Sequence, residues 1–165
     1  MSSQSRIRLT LTLRRHPLRM TVGEAERDQP WRISIKGADG YLGQLIPRRV
    51  EIKRGDSTRT GLVKIENSFA WFPSALVRVS GFNDFYVSRE HRDLMRCVSV
   101  KGEDVGAYWD DVADEFSICY AGEPVARVRH EKGKELGTEL YLMETEERYL
   151  LLGCCFITAV YLVAE

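Results

Sequence analysis

The densest run of chemistry-bearing side chains is Arg48, Arg49, Lys53, Arg54 and Arg59. Guanidinium groups fork onto phosphate oxygens and keep their charge at any physiological pH. Beside an anionic leaflet each such cation is worth about 1 kcal/mol, so five give a useful but salt-sensitive attraction. The segment reads as an anion or lipid head-group site, or as a solvated loop with two strand-end arginines. A second basic set, Arg6, Arg8, Arg14, Arg15 and Arg19, falls mostly on one face of an alternating stretch. It reads as the outward side of a half-buried strand.

The remaining reactive types do not assemble. Asp110, Asp111, Asp114 and Glu115 could attract a divalent cation, but they lack the glycine-punctuated alternation of a calcium loop and read as a solvated turn. His16, His91 and His130 are isolated, each near Arg or Glu. Cys97, Cys119, Cys154 and Cys155 show no C-x-x-C spacing, so neither a zinc knuckle nor a redox pair is expected, and all four thiols are read as free. There is no nucleophile elbow, phosphate loop or dinucleotide fingerprint. The sequence therefore points away from an enzyme, and no cofactor or metal is expected.

Charge adds one asymmetry. The 165 residues carry 24 basic and 24 acidic side chains, which removes any simple case for bulk nucleic-acid binding. Residues 1–64 hold 14 Lys/Arg against 6 Asp/Glu, and the rest hold 10 against 18. A basic half hints at an anionic partner, unless the two halves interleave in space and the charges mix.

The elements that must position these groups are mostly strands. Ile7 to Leu13 alternates strictly between apolar and polar. Similar short patterns recur at Met20–Val22, Trp31–Ile35, Leu42–Ile46, Val50–Ile52, Leu62–Ile65, Ala75–Val79, Asp84–Val87, Leu94–Val100 and Leu140–Met143. Phe116–Tyr120 and Pro124–Val128 form a hairpin across Ala121-Gly122-Glu123. Phe69, Trp71 and Phe72 read as an aromatic plug for a barrel end, or as an interfacial tip. Residues 149–164 then run without a charge. That segment is shorter than the roughly 20 residues a bilayer span needs, so it reads as a core helix over about 147–161, with Thr145 as N-cap. A helix apolar all round must be enclosed. The pattern predicts a mostly β fold, a closed antiparallel barrel of about 12 strands enclosing the hydrophobic C-terminal helix, as one domain over 1–165.

This order resembles the tubby C-terminal-like superfamily, which includes LURP-one-related proteins and phospholipid scramblases. The resemblance rests on Val98-Ser99-Val100-Lys101-Gly102, Phe116-Ser117-Ile118, Gly122-Glu123-Pro124-Val125-Ala126-Arg127-Val128, and Leu150-Leu151-Leu152-Gly153 with its apolar tail. It covers under half the chain, and no counterpart of the scramblase acidic calcium segment is present. The resemblance implies a twelve-stranded barrel around a helix and, through tubby-type members, phosphoinositide binding. The expectation is thus a non-enzymatic barrel module that binds anionic phospholipid head groups or a protein partner. The alternative is a protein-interaction or structural domain with no lipid binding. A small-molecule carrier is disfavoured because the helix would fill the barrel. The polar N-terminus lacks a secretory core, so a cytoplasmic protein, peripheral at the inner leaflet, is expected, with no nucleic-acid partner.

Overall fold

Alternation of apolar and polar residues builds almost every strand. The computed structural model describes residues 6–14, 18–26, 29–37, 47–66, 74–89, 98–110 and 112–163, with Pro47 and Arg48 described as backbone alone. The expected strand at 42–46, the aromatic set Phe69, Trp71 and Phe72, and Arg15, His16, His91, Cys97 and Asp111 lie outside these residues. Among the described residues twelve strands precede one helix: β1 Ile7–Arg14, β2 Arg19–Glu24, β3 Trp31–Gly37, β4 Pro47–Arg54, β5 Thr60–Glu66, β6 Ser74–Val79, β7 Phe85–Arg89, β8 Val98–Gly102, β9 Val105–Asp110, β10 Glu115–Tyr120, β11 Glu123–Lys132 and β12 Thr138–Thr145. A 3-10 turn at Glu147–Tyr149 leads into α1, Leu150–Val163.

The strands form two antiparallel six-stranded sheets, ordered β2-β1-β12-β11-β10-β9 and β3-β4-β5-β6-β7-β8. Among the described residues β2 lies alongside β3, and β8 alongside β9, with no ladder between either pair. The expected mostly β fold is present; in place of one continuous closed sheet there are two sheets separated by two seams. The turns beside the seams are hydrogen-bonded to other turns and strand ends. Asn83 Nδ2 donates to Glu103 Oε2 at 3.2 Å and to Asp104 Oδ2 at 3.0 Å, and the Asp104 carbonyl accepts from Ala121 N at 2.8 Å. At the other seam Pro30 has no N–H to offer, and its carbonyl accepts from Gly55 N at 2.6 Å.

Helix α1 lies between the sheets, and every residue from Leu150 to Val163 is buried except half-buried Leu162. Glycines allow the close approach on both sides. A Cβ at Gly61 of β5 would lie 2.2 Å from Cys155 Sγ, and one at Gly153 would lie 2.2 Å from Met143 Sδ of β12. Phe116 meets Phe156 edge to face at 6.2 Å, extending a stack that begins at Trp109. The Thr158 hydroxyl in the helix is satisfied locally: its Oγ1 donates to the Cys154 carbonyl at 2.8 Å.

Two local expectations are corrected. Thr145 does not cap the helix. It is the last residue of β12, is buried, and its hydroxyl donates to the Val125 carbonyl at 2.7 Å. Glu146, with extended backbone, occupies the cap position and makes no side-chain cap bond. The β10–β11 hairpin turns in two residues, Ala121 and Gly122, at φ 52° and 82°, which suits the twist of the flanking strands. Strand β9 had no place in the sequence reading, although Val105, Ala107 and Trp109 alternate inward.

Candidate functional site: a cationic sheet face and a cleft at the helix entrance

Register decides which cations meet. On the outward side of the β3–β8 sheet, Lys36 pairs with Arg49, Arg49 with Lys64, Lys64 with Leu76, Leu76 with Tyr86, and Tyr86 with Lys101. A second row places Arg32 opposite Lys53. Directly opposed residues stand about 5 Å apart at Cβ, where like charges destabilise a sheet. The strands of this face carry Arg32, Lys36, Arg49, Lys53, Lys64, Arg78 and Lys101 against Glu51 and Glu66. Arg49 binds Glu51 at 2.9 Å, and Arg78 forks onto Asp84 at 3.0 and 3.1 Å. Among the described residues Arg32, Lys36, Lys53, Lys64 and Lys101 have no acidic partner. Half-buried Leu62 and Leu76 and exposed Tyr86 lie between them.

The opposite sheet behaves differently. Three of its outward arginines meet carboxylates, Arg8 with Glu144 at 3.9 Å, Arg14 with Glu135 at 3.4 Å, and Arg129 with Glu115 at 3.3 Å, whereas Arg19, opposite Arg14, and Arg127 have no such pair among the described residues. This fits the reading of Arg6, Arg8, Arg14 and Arg19 as an exposed strand face. The charge asymmetry of the sequence therefore survives folding, as one cationic face.

The five cations singled out in the sequence separate. Arg49 and Lys53 project from β4 into the cationic face. The side chain of Arg48 lies outside the described residues. Arg54, next along β4, turns to the other side and is tied down. Its Nε and Nη2 donate to both oxygens of Glu24 at 2.6 and 3.1 Å, and Nη1 donates to Glu147 Oε1 at 2.9 Å. The Glu24 side chain is fully buried and also accepts from Trp31 Nε1 at 3.1 Å. The Glu24 hydrogen bonds, opposed by burial and aided by Glu147, hold the Arg54 guanidinium above its ordinary pKa. Arg59 sits exposed in the β4–β5 turn, its backbone N–H donating to Ser57 Oγ at 3.1 Å.

Arg54 and Arg59 share instead a cleft of about 520 Å³ where the helix enters the molecule. Arg148 and Glu146, paired at 3.1 Å, also line it, and Val79, Phe82, Leu150 and Leu151 are the apolar lining. Phe82 is braced by Tyr120 and Tyr149 at 5.1 and 5.9 Å between ring centroids. Sequence reading missed Glu24, Arg148 and the row of lysines. Glu24 falls in a polar stretch that reads as loop, and the lysines are brought together only by register.

The acidic run proves to be a turn. Asp110 Oδ1 accepts from Val112 N at 3.0 Å and Ala113 N at 3.2 Å. His130 pairs with Glu139 on the inward side of the β11–β12 pair. Cys119, Cys154 and Cys155 are free thiols, and burial raises the pKa of all three. No helix among the described residues is long and apolar enough to cross a membrane. No family model matches the chain, and neither a curated protein nor a solved structure matches it.

Proposed function

We propose that the chain is a non-enzymatic β module that binds an anionic membrane surface of the phosphoinositide type through the outward face of the β3–β8 sheet. The observation that carries this reading is the cross-strand alignment of Lys36, Arg49 and Lys64 beside Arg32 and Lys53. Such an arrangement costs folding energy through like-charge repulsion, and an anionic partner relieves it. Arg32, Lys36, Lys53 and Lys64 together supply about 4 kcal/mol toward an anionic leaflet, roughly a thousandfold in partitioning. Leu62, Leu76 and Tyr86 add apolar contact within the same face. The resemblance to the tubby-like superfamily points to the same class of ligand, with the sheets acting as one barrel wall around the helix.

Co-sedimentation with phosphoinositide-containing vesicles tests it. Binding should be strong at about 0.01 M salt and fall steeply by 0.15 M, as the screening length shortens from about 30 to 8 Å. Lys36→Ala with Lys53→Ala and Lys64→Ala should abolish it without lowering thermal stability. Arg8→Ala with Arg129→Ala, on the other sheet, should leave it intact. Unchanged binding by the triple variant rules out this face. No binding by the parent at low salt rules out the membrane reading and leaves a protein partner in its place.

A further inference from the structure

We infer that Ser57, in the β4–β5 turn, is a phosphorylation site through which a serine/threonine kinase that selects basic substrates releases the cationic face from an anionic surface. Among the described turns this is the one that carries exposed hydroxyls, Ser57 and Thr58. Ser80, in the β6–β7 turn, is half-buried and engaged twice: its hydroxyl accepts from Thr60 N and donates to the Thr60 carbonyl. Asp56, Ser57, Thr58 and Arg59 are exposed in succession. Lys53, four residues before Ser57, and Arg59, two after it, have no acidic partner among the described residues, and Asp56 is the single acid of the turn. Cations on both sides of an exposed hydroxyl form a charge pattern that a kinase with an acidic substrate groove selects. The effect on binding rests on the sheet-face reading, whereas the modification itself does not.

Its surroundings single out Ser57 over Thr58. Ser57 Oγ accepts from Arg59 N at 3.1 Å, so an oxygen there already has a backbone donor. Ser57 and Arg59 also line the cleft together, which Thr58 does not. In the transfer, Ser57 Oγ bonds to the γ-phosphorus of a nucleoside triphosphate as the bridging P–O bond between its β- and γ-phosphates breaks. The hydroxyl proton passes to the kinase's base, and the nucleoside diphosphate leaves. The product carries about −1.5 to −2 charges near neutral pH. Ser57 N donates to the Arg54 carbonyl at 3.2 Å, which folds the turn back onto the end of β4. Lys53, one residue before that end, faces Thr60 in the last row of the β4–β5 ladder and Arg32 across β3. The new dianion therefore lies at the margin of the cationic face, beside Lys53 and Arg59, and offsets about two of its cations. Losing two cations weakens attachment to an anionic leaflet about thirtyfold.

Treatment of the chain with such a kinase and magnesium ATP, followed by peptide mapping, reads the acceptor. Phosphate should appear on Ser57 and be lost in Ser57→Ala. Phosphate on Thr58 alone, or no incorporation, overturns the proposal. Co-sedimentation with phosphoinositide-containing vesicles at about 0.01 M salt reads the consequence. The phosphorylated chain should bind about thirtyfold more weakly than the parent, with thermal unfolding unchanged because the turn is exposed. Ser57→Glu, with one added charge, should lose about fivefold. Ser57→Ala and Ser57→Gln should bind as the parent does, which separates charge from bulk. Equal binding by the phosphorylated and unmodified chains overturns the switch. A parent that does not bind at low salt brings down the sheet-face reading and the switch with it, while peptide mapping still decides the acceptor.

Discussion

At the scale of single residues, the helix thiols show how far burial governs chemistry. Desolvation pushes Cys155 up to about 12 and Cys154 well above the ordinary thiol range, whereas half-buried Cys119 is raised by burial and then by Glu123. Iodoacetamide at pH 8.5 should therefore modify Cys119 slowly and spare Cys154 and Cys155 until the protein unfolds, as peptide mapping will show. The linkage has a definite sign. Above pH 9 the unfolded chain loses the Cys155 proton while the folded chain keeps it, so stability falls as pH rises from about 9 to 12. The slope is about 1.4 kcal/mol per pH unit for that thiol. Denaturation curves of Cys155→Ala should lack this share of the alkaline decline; an unaltered slope would contradict the burial of the thiol.

Between elements, the Glu24–Arg54–Glu147 group does the work of the missing ladder at the β2–β3 seam. It joins β2 of one sheet to β4 of the other and to the turn before the helix. Glu24→Gln leaves Arg54 without its buried counter-charge and should cost about 3 kcal/mol in urea denaturation. Adding Arg54→Met should recover most of that loss, since no orphan charge remains. A loss under 1 kcal/mol in the single variant would reduce the clasp to an ordinary surface pair. Nothing in the sequence announces this group, because a carboxylate in a polar stretch becomes structural only when a partner 30 residues on turns inward. The strands were legible for the opposite reason. Alternation in Ile7–Leu13 is a local signal, and β1 shows the expected burial at nearly every position. The helix was legible from its lack of charge alone. Its start was not, because Thr145 is claimed by a carbonyl on β11 that local spacing cannot foresee. The cationic rows need the register of several strands at once, so Lys36, Lys64 and Lys101 are not legible locally, whereas the cluster around Arg48 is.

Across the whole molecule, the helix is the common surface on which both sheets rest, and the fit is close at Gly61 and Cys155. Gly61→Ala forces a methyl against buried Cys155 Sγ and should destabilise by about 1–3 kcal/mol. Combined with Cys155→Ala, which removes the sulfur, it should cost less than the two single changes added together. Additive losses would show that the sheet does not seat on the helix at that point. The position of α1 after all twelve strands has a further consequence for synthesis. The β3–β8 strands pair in sequence order and are complete by Gly102, yet Val50, Ile52, Val63, Val77, Phe85 and Val87 await a helix ending at Val163. At roughly 5–20 residues per second a ribosome needs about 3–12 s to make the intervening stretch. Strand β1 waits longer still, since its partner β12 is made almost last. For those seconds the nascent chain carries a finished sheet with a bare apolar side, and a holdase chaperone has its substrate.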